Sequence, residues 1–348
     1  MAMRRERTNH RSDPMSGGGG GGGGALGLQL NKKLGQHLLK NPGIVEKIVN
    51  ACDIKSTDTV LEIGPGTGNL TMKILPLAKR VVALDIDGRM VAEVKKRANS
   101  AGFMNIEARE GDALRACLGR FDVCTGNMPY QISSPFIFRL LAHRPLFKTA
   151  ILMFQKEFSE RLLAKPGDDK YGRLAVNTQL FCKVTAVCKV SAGSFNPPPQ
   201  VDSMVVKLVP RDPPLQVDFG EWDGLMRICF KKKRKTLAAN FNDKSILATL
   251  ESNYKTFCAL HGQQPASDLN MKELTRQILE QTGLSSVRAV TIDIDTFFGL
   301  LLAFNRAGVH FLNVGQRPLG VVSQGGTGAT SSWQGLEAFM DMDDEEED

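Results

Sequence analysis

The pattern of hydrophobic and polar positions between residues 59 and 155 alternates between two periods. Segments with helical spacing, such as "GRMVAEVKKRANSAG" (88–102), place apolar residues on one face and end at a glycine. Strands alternating with helices predict βαβ crossovers and a parallel sheet with helices on both faces. The strands are predicted from short apolar or β-branched runs bounded by turn residues, at 59–64, 80–87, 105–112, 121–127 and 149–155.

Two later segments, 184–192 and 203–210, also predict strands, and no helical segment separates them. We therefore expect an antiparallel pair at one end of the sheet. Together with the five earlier strands, this pair gives a mostly parallel, seven-stranded sheet. We place this α/β domain at residues 28–213.

The proline-rich segment "PRDPPLQV" (210–217) marks a change in character. Beyond it, the segments 220–243 and 271–306 have the spacing of apolar residues that is typical of helices. Prolines concentrated between two differently patterned regions indicate a linker. We therefore predict a second, smaller helical domain at residues 214–312.

Both ends of the chain have a biased composition. Residues 1–27 include eight consecutive glycines at 17–24, and glycine loses more backbone entropy on ordering than any other residue. Residues 313–348 are rich in Gly, Ser, Thr and Gln and finish in an acidic run. We expect a disordered Gly-rich tail at one end and a disordered acidic tail at the other.

The chain is more basic than its total charge indicates. The formal net charge is +7, yet the last twelve residues hold eight acids and no Lys or Arg. Residues 1–336 therefore carry 44 basic and 29 acidic residues, a net charge of +15. This bias favours a polyanionic partner, with nucleic acid as the first candidate and a merely soluble basic surface as the alternative.

Composition disfavours several classes of protein. No apolar stretch approaches the roughly 20 residues that a membrane-spanning helix needs, so no membrane partner is expected. The Arg-containing start lacks the apolar core of a secretory signal, and Glu6 and Asp13 interrupt the pattern of a mitochondrial transit peptide. The seven cysteines form no CxxC pair and no metal-type spacing with His, so we expect free thiols and no metal site.

A glycine loop, "VLEIGPGTGNL", follows the first predicted strand and contains Gly64, Gly66 and Gly68. Glycines allow a tight turn and close approach of the backbone to a cofactor. Asp85 ends the next strand, where it can accept ribose hydroxyls, and Asp112 ends the third strand, within reach of an adenine amino group. The G-x-G-x-G spacing differs from the pyrophosphate-binding G-x-G-x-x-G. The combination favours S-adenosylmethionine over a dinucleotide.

The motif "NMPY" (127–130) ends the fourth strand and predicts the reacting centre. The Asn127 side-chain oxygen and the main-chain carbonyl of Met128 can accept the two hydrogens of an adenine exocyclic amine. This directs the nitrogen lone pair at a methyl group and stabilises the developing positive charge. Pro129 fixes the backbone, and Tyr130 offers a ring for base stacking. The structural alternative is a strand-ending turn, since Asn and Pro are turn formers.

Two further segments carry candidate contacts. Phe195, in "SFNPPPQVDS", is predicted to close on the base opposite Tyr130; the alternative is a core aromatic packed beneath a loop. A basic run predicts phosphate contacts along an RNA helix, which orient the partner without reading its sequence; a solvated or nuclear-import patch is the alternative. The run consists of Lys231, Lys232, Lys233, Arg234 and Lys235.

From residue 30 to residue 312 the chain resembles the KsgA-like small-subunit ribosomal RNA adenine dimethyltransferases. The resemblance implies a Rossmann-like S-adenosylmethionine-dependent methyltransferase fold with a smaller C-terminal helical domain. It also implies that the product is two adjacent N6,N6-dimethyladenosines near the 3′ end of small-subunit (18S) rRNA. It is carried by "LGQHLLKNP" (34–42), "LEIGPGTGNLT" (61–71), "GNMPYQISSPF" (126–136), "FNPPPQVDSMVV" (195–206) and "ICFKKKRKTLAANF" (228–241).

The resemblance also implies roles for individual residues at the cofactor. His37 and Leu39 would line it from the N-terminal segment, and Gly64 would approach its methionine portion. Asp85 would hold the ribose and Asp112 the adenine. Relatives often carry Glu where this chain has Asp85, which implies a shorter reach to the ribose.

At the reacting centre the resemblance assigns Asn127 to the target amine, while Met128 stands where the family usually has Leu. Only the carbonyl of this residue is needed.

The region 244–312 resembles the longer C-terminal domain of the eukaryotic nuclear branch. We therefore expect a monomer in the nucleus and nucleolus, with small-subunit rRNA and pre-ribosomal particles as its partners and a role in ribosome assembly.

Other readings remain open at this point. N6-adenine methyltransferases of DNA and glutamine methyltransferases of proteins also use Asn-Pro-aromatic loops, although the basic helical region and "FNPPPQV" argue against both. A non-catalytic assembly factor would keep only a vestigial cofactor site, which the intact Gly64, Asp85, Asp112 and Asn127 disfavour. A mitochondrial relative is disfavoured by the start of the chain and by its C-terminal region.

Overall fold

The computed structural model describes residues 37–213 and 217–312. The tails predicted at 1–27 and 313–348, and part of the predicted linker, lie outside these residues. Within these residues, nine strands form one large sheet and one small sheet. The strands are β1 (Leu38–Leu39), β2 (Thr59–Ile63), β3 (Arg80–Asp85), β4 (Ile106–Glu110), β5 (Val123–Asn127), β6 (Thr149–Gln155), β7 (Cys182–Val190), β8 (Phe195–Asn196) and β9 (Ser203–Pro210).

The large sheet has seven strands in the order β4-β3-β2-β5-β6-β9-β7. Its first five members pair in parallel, whereas β9 runs antiparallel to both β6 and β7. The predicted mostly parallel sheet with a terminal antiparallel pair is therefore confirmed. Strand order reverses around β2, where β3 lies on one side and β5 on the other, and such a switch point leaves a crevice at the carboxyl ends of the strands.

Helices cover the sheet and make up the C-terminal region. Within the described residues the helices are α1 (Pro42–Cys52), α2 (Thr71–Ile74), α3 (Gly88–Ser100), α4 (Ser133–Ala142), α5 (Lys156–Leu163), α6 (Arg173–Phe181), α7 (Phe219–Phe230), α8 (Leu237–Phe241), α9 (Lys244–Leu260), α10 (Met271–Gln281) and α11 (Ile294–Arg306). None of them is long and apolar enough to cross a membrane.

The helical segments expected in the C-terminal region are more broken than the sequence pattern predicts. The segment 220–243 is two helices, because the chain turns at the basic run and Thr236 caps α8 by accepting from the Ala239 amide. The segment 271–306 is also divided, since Gly283 adopts a positive φ of 71° just after α10. The pattern did not predict α9, which fills the interval between these two segments.

Two apolar clusters fill the faces of the sheet, and a third fills the helical region. The third cluster includes Tyr171 and Val176, which lie in and just before α6 and therefore belong in sequence to the α/β part. The Tyr171 hydroxyl donates to the Ile292 carbonyl at 3.0 Å, and Trp222 Nε1 donates to Asn177 Oδ1 at 3.0 Å. Because buried polar groups need partners, these bonds fix α6 against the helical region. The domain boundary at 213/214 stays a prediction.

Candidate active site

The crevice at the carboxyl edge of the sheet brings together the residues predicted to bind a nucleoside. Ile63, at the end of β2, pairs with Leu84 on one side and with Gly126 on the other. The residues that follow these three positions are Gly64, Asp85 and Asn127, so they emerge side by side. The sequence-predicted cofactor and amine sites therefore share one edge.

The glycine loop needs glycine for its backbone conformation and for space. Gly64 and Gly66 have φ values of 64° and 55°, a region that other L-residues rarely adopt. A Cβ on Gly66 would come within 2.7 Å of Leu38 Cδ2, and one on Gly64 would lie 3.6 Å from the Asn127 carbonyl oxygen. The loop thus passes directly beneath β1 and beside the end of β5. Gly68, with a φ of 87°, completes the turn.

Asp85 is fixed beside this loop. Its side chain accepts hydrogen bonds from the Asp87 amide at 3.0 Å and from the Gly66 amide at 3.4 Å. Burial raises the pKa of the Asp85 carboxyl above its ordinary value, and the two N–H donors oppose that shift. A carboxylate held in this way can accept hydrogen bonds from vicinal hydroxyl groups without having to reorganise.

Asp112 lies at the same edge, two residues beyond the end of β4 and not at the strand end itself. Asp85 pairs with Glu110 in the register of β3 and β4, and the Gly111 amide donates to the Asp85 carbonyl at 2.9 Å. Asp112 Oδ1 accepts from the Leu114 amide at 2.8 Å, and its side chain remains 36% exposed. The two acids predicted to face a nucleoside are therefore neighbours, with Asp112 the more accessible.

Ile86 follows Asp85 directly and is 55% exposed, which is high for a large aliphatic side chain. It provides exposed apolar surface directly after Asp85, where a planar base would need it. Sequence reasoning did not identify Ile86. The available signal was an isoleucine that continues a strand pattern after the last buried position.

The amide of Asn127 is oriented by the segment that crosses above it. Asn127 Nδ2 donates to the main-chain carbonyl oxygen of His37 at 3.1 Å. Since a carbonyl can only accept, this bond fixes which end of the amide faces β1. Among the described residues, no donor bonds to Asn127 Oδ1, so this oxygen is available to the amine that the sequence analysis assigned to it.

The rest of the "NMPY" motif separates into a buried part and an exposed part. The Met128 side chain is 2% exposed, and its amide donates to the Met153 carbonyl at 2.9 Å, which continues the β5–β6 pairing. Pro129 has φ −58° and ψ 142°, so it turns the chain out of the sheet. Tyr130 follows at 39% exposure, with its ring accessible for stacking. The motif is therefore a strand-ending turn that also presents a ring and an amide.

Phe195 does not present its ring to the crevice, which corrects the expectation that it faces a base opposite Tyr130. Its side chain is 1% exposed and lies in the cluster that contains Leu39 and Val205. The cause is the two-stranded sheet of β1 and β8, in which Leu39 pairs with Phe195. The ring thus occupies the core position that the sequence analysis gave as the alternative.

His37 and Leu39 reach the site through their main chains. The His37 carbonyl holds Asn127, while its ring Nδ1 donates to the Pro197 carbonyl at 2.9 Å. Leu39 is buried at 9% exposure, and its carbonyl accepts from Asn69 Nδ2 at 2.8 Å. The sequence analysis placed both residues at the cofactor, and the structure places them above the glycine loop with their backbone turned toward it.

Asn69 and Arg97 form a support that the sequence analysis missed. Arg97 Nη1 donates to Asn69 Oδ1 at 3.1 Å and also to the Thr67 carbonyl. Asn69 therefore has its oxygen held by α3 and its nitrogen bonded to Leu39, which connects α3, the glycine loop and β1. An Asn directly after the third glycine was the available signal, because its side chain must lie beside the loop.

Glu62, in β2, is a second residue that the sequence analysis did not single out. It is 1% exposed, and its Oε2 has no hydrogen-bond partner among the described residues. Burial, together with the nearby Asp85 carboxylate, raises the pKa of Glu62 to about 7. A group with this pKa exchanges its proton near neutrality, immediately behind the glycine loop.

The basic run lies apart from the strand edge, on the turn between α7 and α8. Lys231 pairs with Asp243 at 2.9 Å, and Lys233 Nζ donates to the Asp169 carbonyl. Among the described residues, none of these contacts reaches the crevice. The run therefore belongs to the helical region, and its contact with RNA phosphates stays a prediction.

The residues of the crevice fit S-adenosylmethionine. The positive-φ glycines form the tight turn that such a loop requires, the two acids suit hydroxyl and amino donors, and the exposed Ile86 suits an adenine ring. In the described part of the chain, no group of three or more His, Cys, Asp or Glu side chains is arranged to hold a metal ion.

Comparison with known proteins identifies the family. The chain is 52% identical over 286 residues to a probable dimethyladenosine transferase of Dictyostelium discoideum, which covers 81% of this chain and 91% of that protein. A dimethyladenosine transferase of Schizosaccharomyces pombe is 45% identical, covering 81% and 92% of the two chains. The crystal structure of a dimethyladenosine transferase from Plasmodium falciparum superimposes with a TM-score of 0.77 at 55% identity, covering 79% of this chain and all of that one.

A more distant structure, the 23S rRNA methyltransferase ErmE, has a TM-score of 0.56 at 23% identity and shows the shared fold alone. It covers 77% of this chain and 99% of its own, so the likeness extends beyond the sheet. The family model described as Ribosomal RNA adenine dimethylase matches residues 27–281, which include the glycine loop, both acids, the "NMPY" motif and the basic run. The chain therefore belongs to the ribosomal RNA adenine dimethylase family.

Proposed function

We propose that this protein dimethylates N6 of two adjacent adenosines near the 3′ end of small-subunit (18S) rRNA, within pre-ribosomal particles. Its family is that of rRNA adenine dimethyltransferases. The proposal extends to a monomer that acts in the nucleus and nucleolus and contributes to pre-rRNA processing and small-subunit assembly. The observation that carries it is the amide of Asn127, which His37 fixes so that Oδ1 remains available to a substrate amine.

S-adenosylmethionine is the cofactor, as the sequence predicted, and when bound it supplies a methyl group on a positively charged sulfonium. Asp85 and Asp112 would hold its ribose and adenine, since both carboxylates lie at the carboxyl edge of the sheet. Ile86 would pack against the adenine ring. Gly64 and Gly66 allow the loop to turn with positive φ and to pass close to Leu38 and to the Asn127 carbonyl.

Asn127 supplies the chemistry that the target amine requires. The exocyclic nitrogen of adenine is a weak nucleophile because its lone pair is delocalised into the ring. Asn127 Oδ1 and the Met128 carbonyl would each accept one of its two hydrogens, which localises the lone pair and stabilises positive charge as it develops on nitrogen. Because Nδ2 is already bonded to His37, the amide cannot rotate away without losing a hydrogen bond.

Tyr130 would hold the extruded base. Its ring is 39% exposed at the rim of the crevice, three residues beyond Asn127. Stacking of a base on an aromatic ring is worth about 1–3 kcal/mol and does not depend on sequence. Selection of particular adenosines would therefore come from the shape of the rRNA and not from Tyr130.

The test uses immature small ribosomal subunits that lack the modification, incubated with the protein and methyl-labelled S-adenosylmethionine. The rRNA is then digested to nucleosides and analysed by mass spectrometry. We expect N6,N6-dimethyladenosine at two adjacent positions near the 3′ end, and no product from Asn127→Ala. Asn99→Ala is the matched control, because Asn99 is an exposed residue on α3.

Two outcomes would overturn the proposal. If the particles bind the protein but acquire no methyl group, the protein is an assembly factor without this activity. If the methyl groups appear elsewhere in the RNA, the proposed position is wrong.

A further inference from the structure

A basic cleft lies where α5 and α6 meet the turn after α7. Its volume is about 520 Å³ including its open mouth. Apolar side chains of Phe138, Leu174 and Phe230 form part of its wall, and no acidic side chain of the described residues lines it. Its polar wall is basic and consists of the side chains of Arg161, Lys170, Arg173 and Lys233.

Neighbouring groups hold three of these cations in place. Lys170 Nζ lies 2.6 Å from Glu160 Oε2, and Arg173 Nε lies 3.7 Å from Asp223 Oδ1. Lys233 Nζ donates to the carbonyl of Asp169, which immediately precedes Lys170. These contacts bring cations from two distant parts of the sequence to one place.

The remaining cation, Arg161, forms no ion pair with any described residue. Three carboxylates lie beside the cleft. Asp223 is shared between Arg173 and Arg227, Glu160 is shared between Lys170 and Lys156, and Glu157 lies 3.9 Å from Lys170. They offset only part of the charge, because these pairs involve four cations and leave Arg161 and Lys233 without a carboxylate partner among the described residues. The cleft therefore keeps a net positive potential, with a guanidinium available at its wall.

This chemistry suits a phosphate group. A tetrahedral anion accepts hydrogen bonds in several directions, so it can be shared by cations that converge from different elements, and arginine adds a planar fork that matches phosphate oxygens. Lys233 belongs to both the cleft and the basic run Lys231–Lys235, so a polyanion that follows the run would pass the mouth of the cleft. A nucleic acid backbone therefore fits the cleft and the run together better than an isolated anion does.

We propose that this cleft binds a backbone phosphate of the RNA substrate, in addition to the contacts assigned to the basic run. The proposal rests on the proposed function, because it takes that RNA as the ligand. The cleft would fix the RNA to the α/β part of the protein through Arg161 and Lys170, while the run fixes it to the helical part. Binding at both the cleft and the basic run would set the orientation of the RNA relative to Asn127.

The first experiment measures binding of the full-length protein to an RNA containing the 3′ end of the small-subunit rRNA, over a series of salt concentrations. Arg161→Gln/Lys170→Gln is compared with Lys255→Gln/Lys272→Gln, which removes the same charge from α9 and α10. We expect the first pair to weaken binding several-fold and to flatten the slope of log K against log salt by about 0.7–0.9, the value for one lost phosphate contact. The control pair should leave that slope unchanged.

The outcomes separate this proposal from the proposed function. If the unmodified protein binds the RNA but both double variants show the same slope, the cleft does not contact phosphate and the proposed function stands. If the unmodified protein neither binds nor methylates the RNA, the proposed function fails first. Unchanged affinity of both variants for S-adenosylmethionine would show that the cofactor site is intact.

A second measurement needs no variant. Lysines are labelled with an amine-reactive reagent in the free protein, with the RNA bound, and with inorganic phosphate alone. We expect the RNA to protect Lys170 and Lys233 and to leave Lys255 reactive. Equal protection by inorganic phosphate would indicate a general anion site, and reactive Lys170 in the RNA complex would place the RNA elsewhere; either result overturns the proposal.

Discussion

The side-chain nitrogen of Asn127 lies 3.1 Å from the main-chain carbonyl oxygen of His37, so a residue ninety positions earlier sets the direction of the amide. The interaction needs a donor on Asn127, which an aspartate lacks. A carboxylate at this position would also face the carbonyl oxygen with like partial charge. The geometry therefore explains why an amide serves here and an acid would not.

From this relationship we predict that Asn127→Asp loses methyl transfer by at least about a hundredfold, even though it keeps an acceptor for the amine. Binding of S-adenosylmethionine, measured by calorimetry, should change little, because Asp85 and Asp112 make the cofactor contacts. Retained turnover in the aspartate variant would show that the bond to His37 has no part in orienting the acceptor.

Asn69 is predicted to act as a positioning residue. Asn69→Ala removes the donor to the Leu39 carbonyl and leaves Arg97 bonded to the loop only through the Thr67 carbonyl, and an unpartnered buried acceptor costs about 1–3 kcal/mol. We expect transfer to fall about tenfold, with faster amide hydrogen exchange in β1 and β8. Asn99→Ala, on the exposed side of α3, is the control. A loss of global stability without local change in β1 would indicate a merely structural role.

The fold was predictable because its signals are local. Strands such as Thr59–Ile63 and helices such as Gly88–Ser100 carry their period within a few residues, and turn residues bound them. The break between α7 and α8 was not predicted, because Thr236 caps α8 from within a polar run that carries no glycine or proline. Local spacing cannot distinguish a solvated turn of a helix from a loop between two helices.

The parts of the site that depend on side-chain type could be predicted from the sequence, whereas the contacts made by main-chain atoms could not. Gly64, Asp85 and Asn127 have residue types that indicate their chemistry, and the order of strands brings them together. The contribution of His37 is a carbonyl that every residue possesses, so its type gives no signal. Phe195 was placed wrongly because its burial depends on pairing with Leu39, 156 positions away in sequence.

Gly126, which precedes Asn127 in β5, is predicted to be required for the packing of β5 against β2. A Cβ at this position would overlap the carbonyl oxygen of Ile63 in the neighbouring strand, and a backbone atom within a sheet cannot move aside. We expect Gly126→Ala to lower the free energy of unfolding by about 1–3 kcal/mol or more. Gly299→Ala is the control, since nothing lies within 4 Å of a Cβ in that helix, and alanine should stabilise α11 by about 0.5–1 kcal/mol. Equal effects in denaturant unfolding would contradict the crowding argument.

From the raised pKa of Glu62 we predict how the stability of the protein depends on pH. Its pKa is about 7 in the folded chain and 4.5 without burial, so the unfolded state releases this proton first as pH rises. Stability should therefore fall between pH 4.5 and 7, and above pH 7 the buried charge costs about 3 kcal/mol. Glu62→Gln removes the ionisable group, so the variant should be more stable than the unmodified protein at pH 8 and similar at pH 4. Denaturant unfolding across this range measures the difference, with exposed Glu46→Gln as control. Parallel curves for all three proteins would mean that Glu62 does not titrate in this window.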